Sequence, residues 1–495
     1  MSQINISNLT FAYDGASENV FENVSFSIDT DWKLGFTGRN GRGKTTFMKL
    51  LMKKYEYSGS ISSSVNFEYF PYNIQNTSML TMYIIDEICP DCENWRILKE
   101  LAKLDINEDV LYRPFFTLSN GEQTKILICA MFLKENSFML IDEPTNHLDT
   151  KGRILLSKYL NSKKGFILIS HDRDFLDGCT DHTLSINRNN IEVCKGNFSA
   201  WYQNKQMQDN SEISQNQKLK KDIKRLEKSF RQSAEWSDKA EKCKIGFDPA
   251  KTEKNINRRP NEGAKSKKMM SRAKAIQSRQ SEKISEKSSL LKNIEISDSL
   301  KLSPLKYHSG NLFSLRNISI EYDSKIICRN VNLTLKNGEC VALCGKNGCG
   351  KSSIIRLICG ENIKYSGDFY KGSQLKISYV PQNISGISGS IADFAMKSDV
   401  DESLLKSILF KLGFERNQLS KDISELSEGQ RKKVILASSL CTQAHLYIWD
   451  EPLNFIDVIS RIQIENLIKV YKPSMILVEH DNAFIKNVCD NIINL

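Results

Sequence analysis

Two segments of this chain have the residue types and spacing to cradle a phosphate chain. Gly38–Thr45 and Gly345–Ser352 both fit G-x-x-x-x-G-K-[ST]. Glycines at that spacing let successive backbone N–H groups converge on phosphate oxygens, and the helix that follows points its positive end at them. The candidate nucleotide-binding residues are Gly38, Arg39, Asn40, Gly41, Arg42, Gly43, Lys44, Thr45 and Thr46 in the first loop. In the second they are Gly345, Lys346, Asn347, Gly348, Cys349, Gly350, Lys351, Ser352 and Ser353. Lys44 and Lys351 are placed to reach β- and γ-phosphates, while Thr45 and Ser352 offer hydroxyls to Mg²⁺. Asp142 and Asp450 each end an apolar run, where a carboxylate can hold the magnesium shell. Glu143 and Glu451 follow at once and face the other side of the strand end, placed to polarise an attacking water as general base. His171 and His480 end further apolar runs 29 and 30 residues after the aspartates, and the repeated position favours a γ-phosphate contact over a structural role.

These residues belong to a repeat. Gly-Arg-Asn-Gly-Arg-Gly-Lys-Thr-Thr (38–46) returns at 345–353, Leu-Ser-Asn-Gly-Glu-Gln (118–123) at 426–431, Met-Leu-Ile-Asp-Glu-Pro (139–144) at 447–452, and Ser-His-Asp (170–172) as Glu-His-Asp (479–481). The offsets are 307, 308, 308 and 309, so the chain is two homologous modules in tandem. Asn5–Tyr13 and Leu315–Tyr322 alternate as strands do. Lys33–Thr37 and Cys340–Cys344 read as strands before each Gly-rich loop, and Thr45–Met52 and Ser352–Ile358 as helices after it. Phe138–Ile141 and Gly165–Ser170 are continuous apolar runs of the kind buried in a parallel α/β sheet. The expected fold class is α/β, two tandem cassettes joined by a long antiparallel helical hairpin.

The segment between the modules is different. Residues 201–300 hold 24 Lys+Arg against 14 Asp+Glu, and the other 395 residues carry 45 of each sign, so the whole excess of +10 sits there. Such a field suits a polyanionic partner, nucleic acid or an anionic membrane surface; a solvated Lys-rich linker would look the same by charge alone. Leu219, Ile223, Leu226 and Phe230 recur at 4, 3 and 4, predicting a helix from about Tyr202 to Trp236. Met269, Ala273, Ile276, Ile284 and Leu291 suggest a second, with Gly246, Pro249, Pro260 and Gly263 breaking the path between. An arm of about 40 residues would extend roughly 60 Å. The expected boundaries are 1–198 for the first cassette, 199–300 for the linker with its tip near 244–264, and 301–495 for the second cassette.

No run approaches 18 apolar residues, and the first residues carry neither a basic n-region nor an apolar core. Thirteen scattered cysteines suit free thiols in a reducing compartment, so the expected location is the cytoplasm. Cys89-Pro90-Asp91-Cys92 is a lone C-x-x-C, which argues against zinc or redox chemistry.

Leu-Ser-x-Gly-Glu/Gln with both P-loops resembles the signature of the ATP-binding cassette superfamily. Two cassettes and a charged linker of about 100 residues resemble its ABC-F group over essentially the whole chain. Trp32-Lys33-Leu34-Gly35, Ala234-Glu235-Trp236-Ser237 and Gly196-Asn197-Phe198-Ser199 resemble the Lsa/Vga-like antibiotic-resistance branch. The resemblance implies an ATPase that uses ATP and Mg²⁺, a monomer whose cassettes pair with each other. It implies action at the tRNA exit-site region of the ribosome, with protection against lincosamides, pleuromutilins and streptogramin A. One ATP would lie between the first P-loop and Ser427 and Gly429, the other between the second P-loop and Ser119 and Gly121. Tyr13 and Tyr322 match the aromatic that stacks on adenine, Asp149 and Asp457 the D-loop, and Gln382 a magnesium ligand. The linker would meet rRNA and P-site tRNA through Lys244, Lys254, Arg258, Arg259, Lys265, Lys267, Lys268 and Arg272.

Tyr72 stands where the first cassette should repeat Gln382, and tyrosine cannot replace an amide in the same geometry. Spacings of 75 residues (44 to 119) and 76 (351 to 427) leave no room for an arm subdomain in the first cassette. The end at Leu495, soon after His480, predicts no C-terminal extension. Two other functions stay open at this point. One is a translation or ribosome-rescue factor without a drug link; the other is the twin-cassette ATPase subunit of a membrane importer, which needs no long basic hairpin.

Overall fold

The computed structural model describes residues 2–15, 19–90, 92–146, 148–187, 190–245, 271, 275, 278, 279, 300–322, 325–345, 348–384 and 386–495. The chain divides into two compact units, Met1–Trp201 with Ser297–Leu495, and Tyr202–Ile296. The first unit contains both cassettes.

In the first cassette the strands are β1 (Gln3–Phe11), β2 (Phe21–Asp29), β3 (Lys33–Thr37), β4 (Ser58–Ser62), β5 (Asn66–Phe70), β6 (Ser137–Asp142), β7 (Phe166–Ile169), β8 (His182–Asn187) and β9 (Asn190–Lys195). Among the described residues they form an antiparallel sheet in the order β2-β1-β4 and a larger one in the order β5-β6-β7-β3-β8-β9. The larger sheet is parallel except for its β8–β9 edge. All four residues of β7 and the inner four of β6 are buried, as expected of strands covered on both faces, whereas β1 alternates over most of its length.

The second cassette repeats the plan with β10 (Asn311–Tyr322), β11 (Lys325–Lys336), β12 (Cys340–Cys344), β13 (Tyr365–Lys371), β14 (Ile377–Val380), β15 (Leu446–Asp450), β16 (Met475–Val478) and β17 (Asn491–Asn494). Its sheets run β11-β10-β13 and β14-β15-β16-β12-β17, the latter parallel throughout. Even the irregularities are duplicated. Asn8 and Asn317 sit at φ 50° and 52° where the register of β1 and β10 shifts, a conformation asparagine tolerates. Opposite each lies a glycine, Gly59 and Gly367, where a Cβ would come within 2.5 Å of the asparagine carbonyl. The bulge and the glycine that accommodates it were copied together.

Apolar residues from the sheets and helices fill both cores. Tyr447 and Trp449 on β15 are fully buried, and the Trp449 indole donates to Ser439 Oγ at 3.0 Å, so its one polar atom is satisfied.

The helix expected from Tyr202 to Trp236 runs Phe198–Ile245, 48 residues or about 72 Å. It starts earlier because Asn197 and Asp177 satisfy its first amides: Asn197 Oδ1 accepts from Ala200 N and Asp177 Oδ1 from Ser199 N. Leu219, Ile223 and Leu226 are half-buried between exposed neighbours, as the expected seam requires, while the side chain of its fourth member, Phe230, lies outside the described residues. Ser271, Ala275, Ser278 and Arg279 are helical. The remaining second-helix positions and the tip lie outside the described residues. Among the described residues no helix is long and apolar enough to cross a membrane.

Candidate active site

Each phosphate-binding loop joins a buried strand to a helix N-terminus. The helix after β3 is Lys44–Leu51, with Gly43 at φ 89°; the one after β12 is Lys351–Cys359, with Gly350 at φ 99°. Lys44 Nζ donates to the Gly38 and Arg39 carbonyls at 2.7 and 3.2 Å and to Asn40 Oδ1 at 3.3 Å. Lys351 Nζ donates to the Gly345 carbonyl at 2.8 Å. Thr45 Oγ1 donates to Asp142 Oδ2 at 2.8 Å, and Ser352 Oγ to Asp450 Oδ2 at 3.1 Å. A hydroxyl beside a carboxylate at a helix N-terminus is the hard-oxygen donor set that Mg²⁺ takes, so both sites fit the ion. When bound, it would neutralise charge on the phosphates.

The first site is closed by the second cassette. Asn40 Nδ2 donates to the Phe455 carbonyl at 2.7 Å, and Arg42 lies 3.7 Å from Glu415. Gly429 is buried here, and a Cβ on it would stand 2.5 Å from Phe455 O and 3.1 Å from Asn40 Nδ2. Only glycine lets that signature helix approach so near. Ser427 starts the helix through a capping box with Gln430, and Ser119 starts the equivalent one with Glu122, which explains the Gln or Glu of the motif.

The second site is open. A cavity of about 530 Å³ is lined by Ser119, Gly121 and Asp149 of the first cassette and by Gln382, Glu451 and His480 of the second. The residues expected to complete the second site therefore face one another across a gap. The same pair of residues shows the contrast. Lys433 Nζ donates to Asp457 Oδ2 at 2.6 Å with both side chains buried, while their counterparts Lys125 and Asp149 both line the cavity.

Burial and neighbouring charges set the electrostatics of each base. Burial, then Asp142, push the Glu143 carboxyl up to about 8 against the pull of Lys44 and Arg461. Burial also pulls His171 well below the usual histidine range, helped by Lys44 and Arg461, so its imidazole is neutral; its Nε2 lies 3.3 Å from Glu143 Oε1. Burial pushes Glu451 up too, but hydrogen bonds with His480, Gln382 and Asn454 outweigh it and hold the carboxyl below its ordinary value. Both glutamates have left-handed backbones, φ 50° and 49°, and donate their N–H to a neighbouring strand carbonyl, Ile169 O at 3.0 Å and Val478 O at 2.9 Å. That conformation turns the side chain off the strand line.

Tyr13 is half-exposed, its hydroxyl 2.6 Å from Thr46 Oγ1 and its ring edge-on to Phe11 and Tyr55. The side chains of Tyr322 and Lys244, and residues Lys346, Asn347, Lys254, Arg258, Arg259, Lys265, Lys267, Lys268 and Arg272, lie outside the described residues.

Four features escaped sequence reading. Arg153 and Arg461 brace the two loops, each reaching the aspartate after the histidine, Asp172 at 3.0 Å and Asp481 at 3.2 Å. The signal was there, an arginine repeated at the same offset as the motifs. Lys433 carried the same kind of signal, recurring from Lys125 at an offset of 308. Tyr69 donates to Asp142 Oδ2 at 3.1 Å. Glu479, which replaces Ser170, accepts from the Leu453 N–H at 2.8 Å and from that of His480 at 3.2 Å.

Burial pushes Glu479 up to about 7 from an unfolded value near 4.5, against Arg461. The folded state thus holds this proton more tightly; the stability it contributes is present below pH 4.5 and lost as pH rises through 7. Glu479→Gln, uncharged throughout, is expected to melt at a higher temperature than the wild-type chain at pH 8, the gap closing towards pH 5. Scanning fluorimetry across that range checks it, and a pH-independent gap would refute the assignment.

Two P-loops, the first of them met by the signature helix of the opposite module, define a twin nucleotide-binding cassette. The model of the ABC transporter family matches residues 21–146 and 328–454, and the chain belongs to that family. It is 28% identical to the ATP-binding protein Uup of Buchnera aphidicola subsp. Acyrthosiphon pisum (strain APS), over 98% of this chain and 79% of that one. It is 24% identical to the ribosome protection protein VmlR of Bacillus subtilis (strain 168), over 97% of this chain and 84% of that one. Among solved structures it shares the fold of an archaeal ribosome recycling factor, aABCE1, determined in complex with the ribosomal stalk protein aP1. The TM-score is 0.61 at 19% identity, covering 95% of this chain and 85% of that one.

Proposed function

We propose that this chain is a cytoplasmic ABC-F ATPase that works on the ribosome, gripping rRNA and P-site tRNA at the tRNA exit-site region. ATP brings the cassettes together and fixes the bound state; hydrolysis to ADP and phosphate releases it. Glu143 and Glu451 serve as the general bases, beside His171 and His480. The finer reading is protection against lincosamides, pleuromutilins and streptogramin A, in line with the Lsa/Vga-like motifs and with what the name of VmlR says of that relative. The observation that carries the proposal is the placement of a charge of +10 in one insert between two cassettes whose charges, −4 and +4, cancel. The insert opens with a 48-residue helix, longer than a linker between two cassettes requires. An importer subunit has no use for such an arm.

The test is sedimentation of ribosomes through sucrose with the Glu143→Gln/Glu451→Gln chain, with ATP and without. ATP-dependent co-sedimentation is expected, and recovery on membranes instead would overturn the reading. Neutralising Lys265, Lys267 and Lys268 is expected to lower the slope of log affinity against log salt by about 2 to 3, since fewer counterions are released. An unchanged slope removes those lysines from the interface. Growth under a lincosamide with and without the gene tests drug protection, and equal inhibitory concentrations would leave a translation factor.

A further inference from the structure

Two thiols meet in the second cassette at positions where the first cassette has none. Cys340 opens β12 and is buried; Cys489 is partly exposed and ends the helix Asn482–Val488, just before β17. The Cys340 thiol donates to Cys489 Sγ, the two sulfurs standing 3.5 Å apart. In the first cassette Lys33 opens β3 and Thr180 ends the helix Arg173–Cys179. The pair is a feature of one module, not something the duplication copied.

The backbone on both sides of the pair is fixed. The Asp490 N–H donates to the Cys340 carbonyl at 2.8 Å, and the Cys340 N–H donates to Asp490 Oδ2 at 2.9 Å. The Cys489 N–H donates to the Ile485 carbonyl at 2.9 Å. A disulfide would bring the sulfurs about 1.5 Å closer, a distance that turning the two side chains covers. The bond to Cys489, and burial after it, push the Cys340 thiol above the usual cysteine range, so it keeps its proton. Cys489 is the sulfur that solvent reaches and that accepts the hydrogen bond, which makes it the one an oxidant meets first. What the pair adjoins is a bare edge. β17 ends the sheet order β14-β15-β16-β12-β17, on the side where the first cassette adds β9. Among the described residues it pairs with β12 alone, over Val341–Cys344, and the Leu495 N–H donates to the Cys344 carbonyl at 2.9 Å beside the second P-loop.

We propose that Cys340 and Cys489 form an oxidation site: a hydroperoxide converts the two thiols to a disulfide that staples β17 to β12, and a small thiol reopens it. Hydrogen peroxide transfers one oxygen to the Cys489 sulfur, giving the sulfenic acid and a molecule of water. The Cys340 sulfur then attacks the Cys489 sulfur, and its proton leaves with the hydroxyl as a second water. Two thiols give up two electrons, and the O–O bond takes them. In a reducing compartment such a bond is transient, formed under oxidant and reduced afterwards. The link joins residues 149 apart in sequence, so it restrains the unfolded chain strongly. It also fastens the edge strand at the corner where the chain enters it.

The experiment treats the full, reduced chain with hydrogen peroxide, blocks the remaining thiols with iodoacetamide, and digests it without reductant for peptide mass mapping. A peptide pair joining Cys340 to Cys489 is expected, absent before treatment and lost again after dithiothreitol. The oxidised chain is expected to melt higher than the reduced one by roughly 4 °C or more. Cys489→Ala changes a partly exposed side chain and is expected to show no such rise. Cys340→Ala leaves Cys489 without a resolving thiol, and sulfinic acid is expected to accumulate there. No linked peptide in the wild-type chain, sulfinic acid on Cys489 in its place, or a melting rise that Cys489→Ala shares would each overturn the site.

Discussion

A chain carrying Glu143→Gln and Glu451→Gln together hydrolyses ATP at least about a hundredfold more slowly than the wild type and binds it as well. Removing a positioned general base costs roughly two to four orders of magnitude in rate. The amide has the shape of the carboxylate but takes no proton. The backbone that aims each residue is fixed independently of the side chain, by an N–H bond to Ile169 on β7 or Val478 on β16. The loops that hold the phosphates, and the Thr45–Asp142 and Ser352–Asp450 pairs, are untouched. Phosphate release measures the first half of this expectation and equilibrium dialysis the second. A rate within tenfold of wild type would show that neither glutamate is the base.

Lys433→Met is expected to be the most damaging single change to stability. Burial opposes the charge on Asp457, but the Lys433 ammonium at 2.6 Å outweighs it and holds that carboxyl below the usual range. Methionine fills much the same volume and removes the adjacent cation, leaving a buried carboxylate with only the Ser460 bonds and the field of Lys44 to hold its charge, beside the Leu412 carbonyl that Lys433 also serves. Breaking a buried pair in this way costs about 3–5 kcal/mol, a large part of what holds a domain together. Urea denaturation should show the loss as a fall in midpoint. Adding Asp457→Asn removes the stranded charge, so the double variant should regain much of the difference. A midpoint for Lys433→Met within experimental scatter of wild type would show that water reaches the pair.

The phosphate loops and the Asp-Glu strand ends were readable from sequence because their chemistry is local. A backbone cradle needs glycines at fixed steps, and a carboxylate at the end of a buried strand needs the apolar run before it. The repeat multiplied that signal, and with it came the α/β class and the tandem plan. What sequence did not show depends on residues far apart in the chain. Asn40 meets Phe455 only once the modules face each other, and nothing in the type of either residue announces it. Tyr72 was visible as a departure, but its bond to Glu68, and the grip of Lys134 on Glu68, needed the fold. Glu479 likewise stood out against Ser170, while its partners, the Leu453 and His480 amides, are backbone groups that no pattern of side chains reveals. The long helix was placed by its apolar stripe; its start was missed because Asp177, which caps it, belongs to the preceding cassette.

Gly429 and Asn40 have one more consequence. Each half of the chain owns the loop that grips one nucleotide and the helix that covers the other, so neither half is a smaller version of the whole. Copies that had separated into two genes would have to find one another by diffusion before either site existed. Within one chain the partner is always present at an effective concentration set by the tether. The duplication therefore could not be undone without loss. A mutation in the signature helix of one module is therefore expected to register at the nucleotide held by the other.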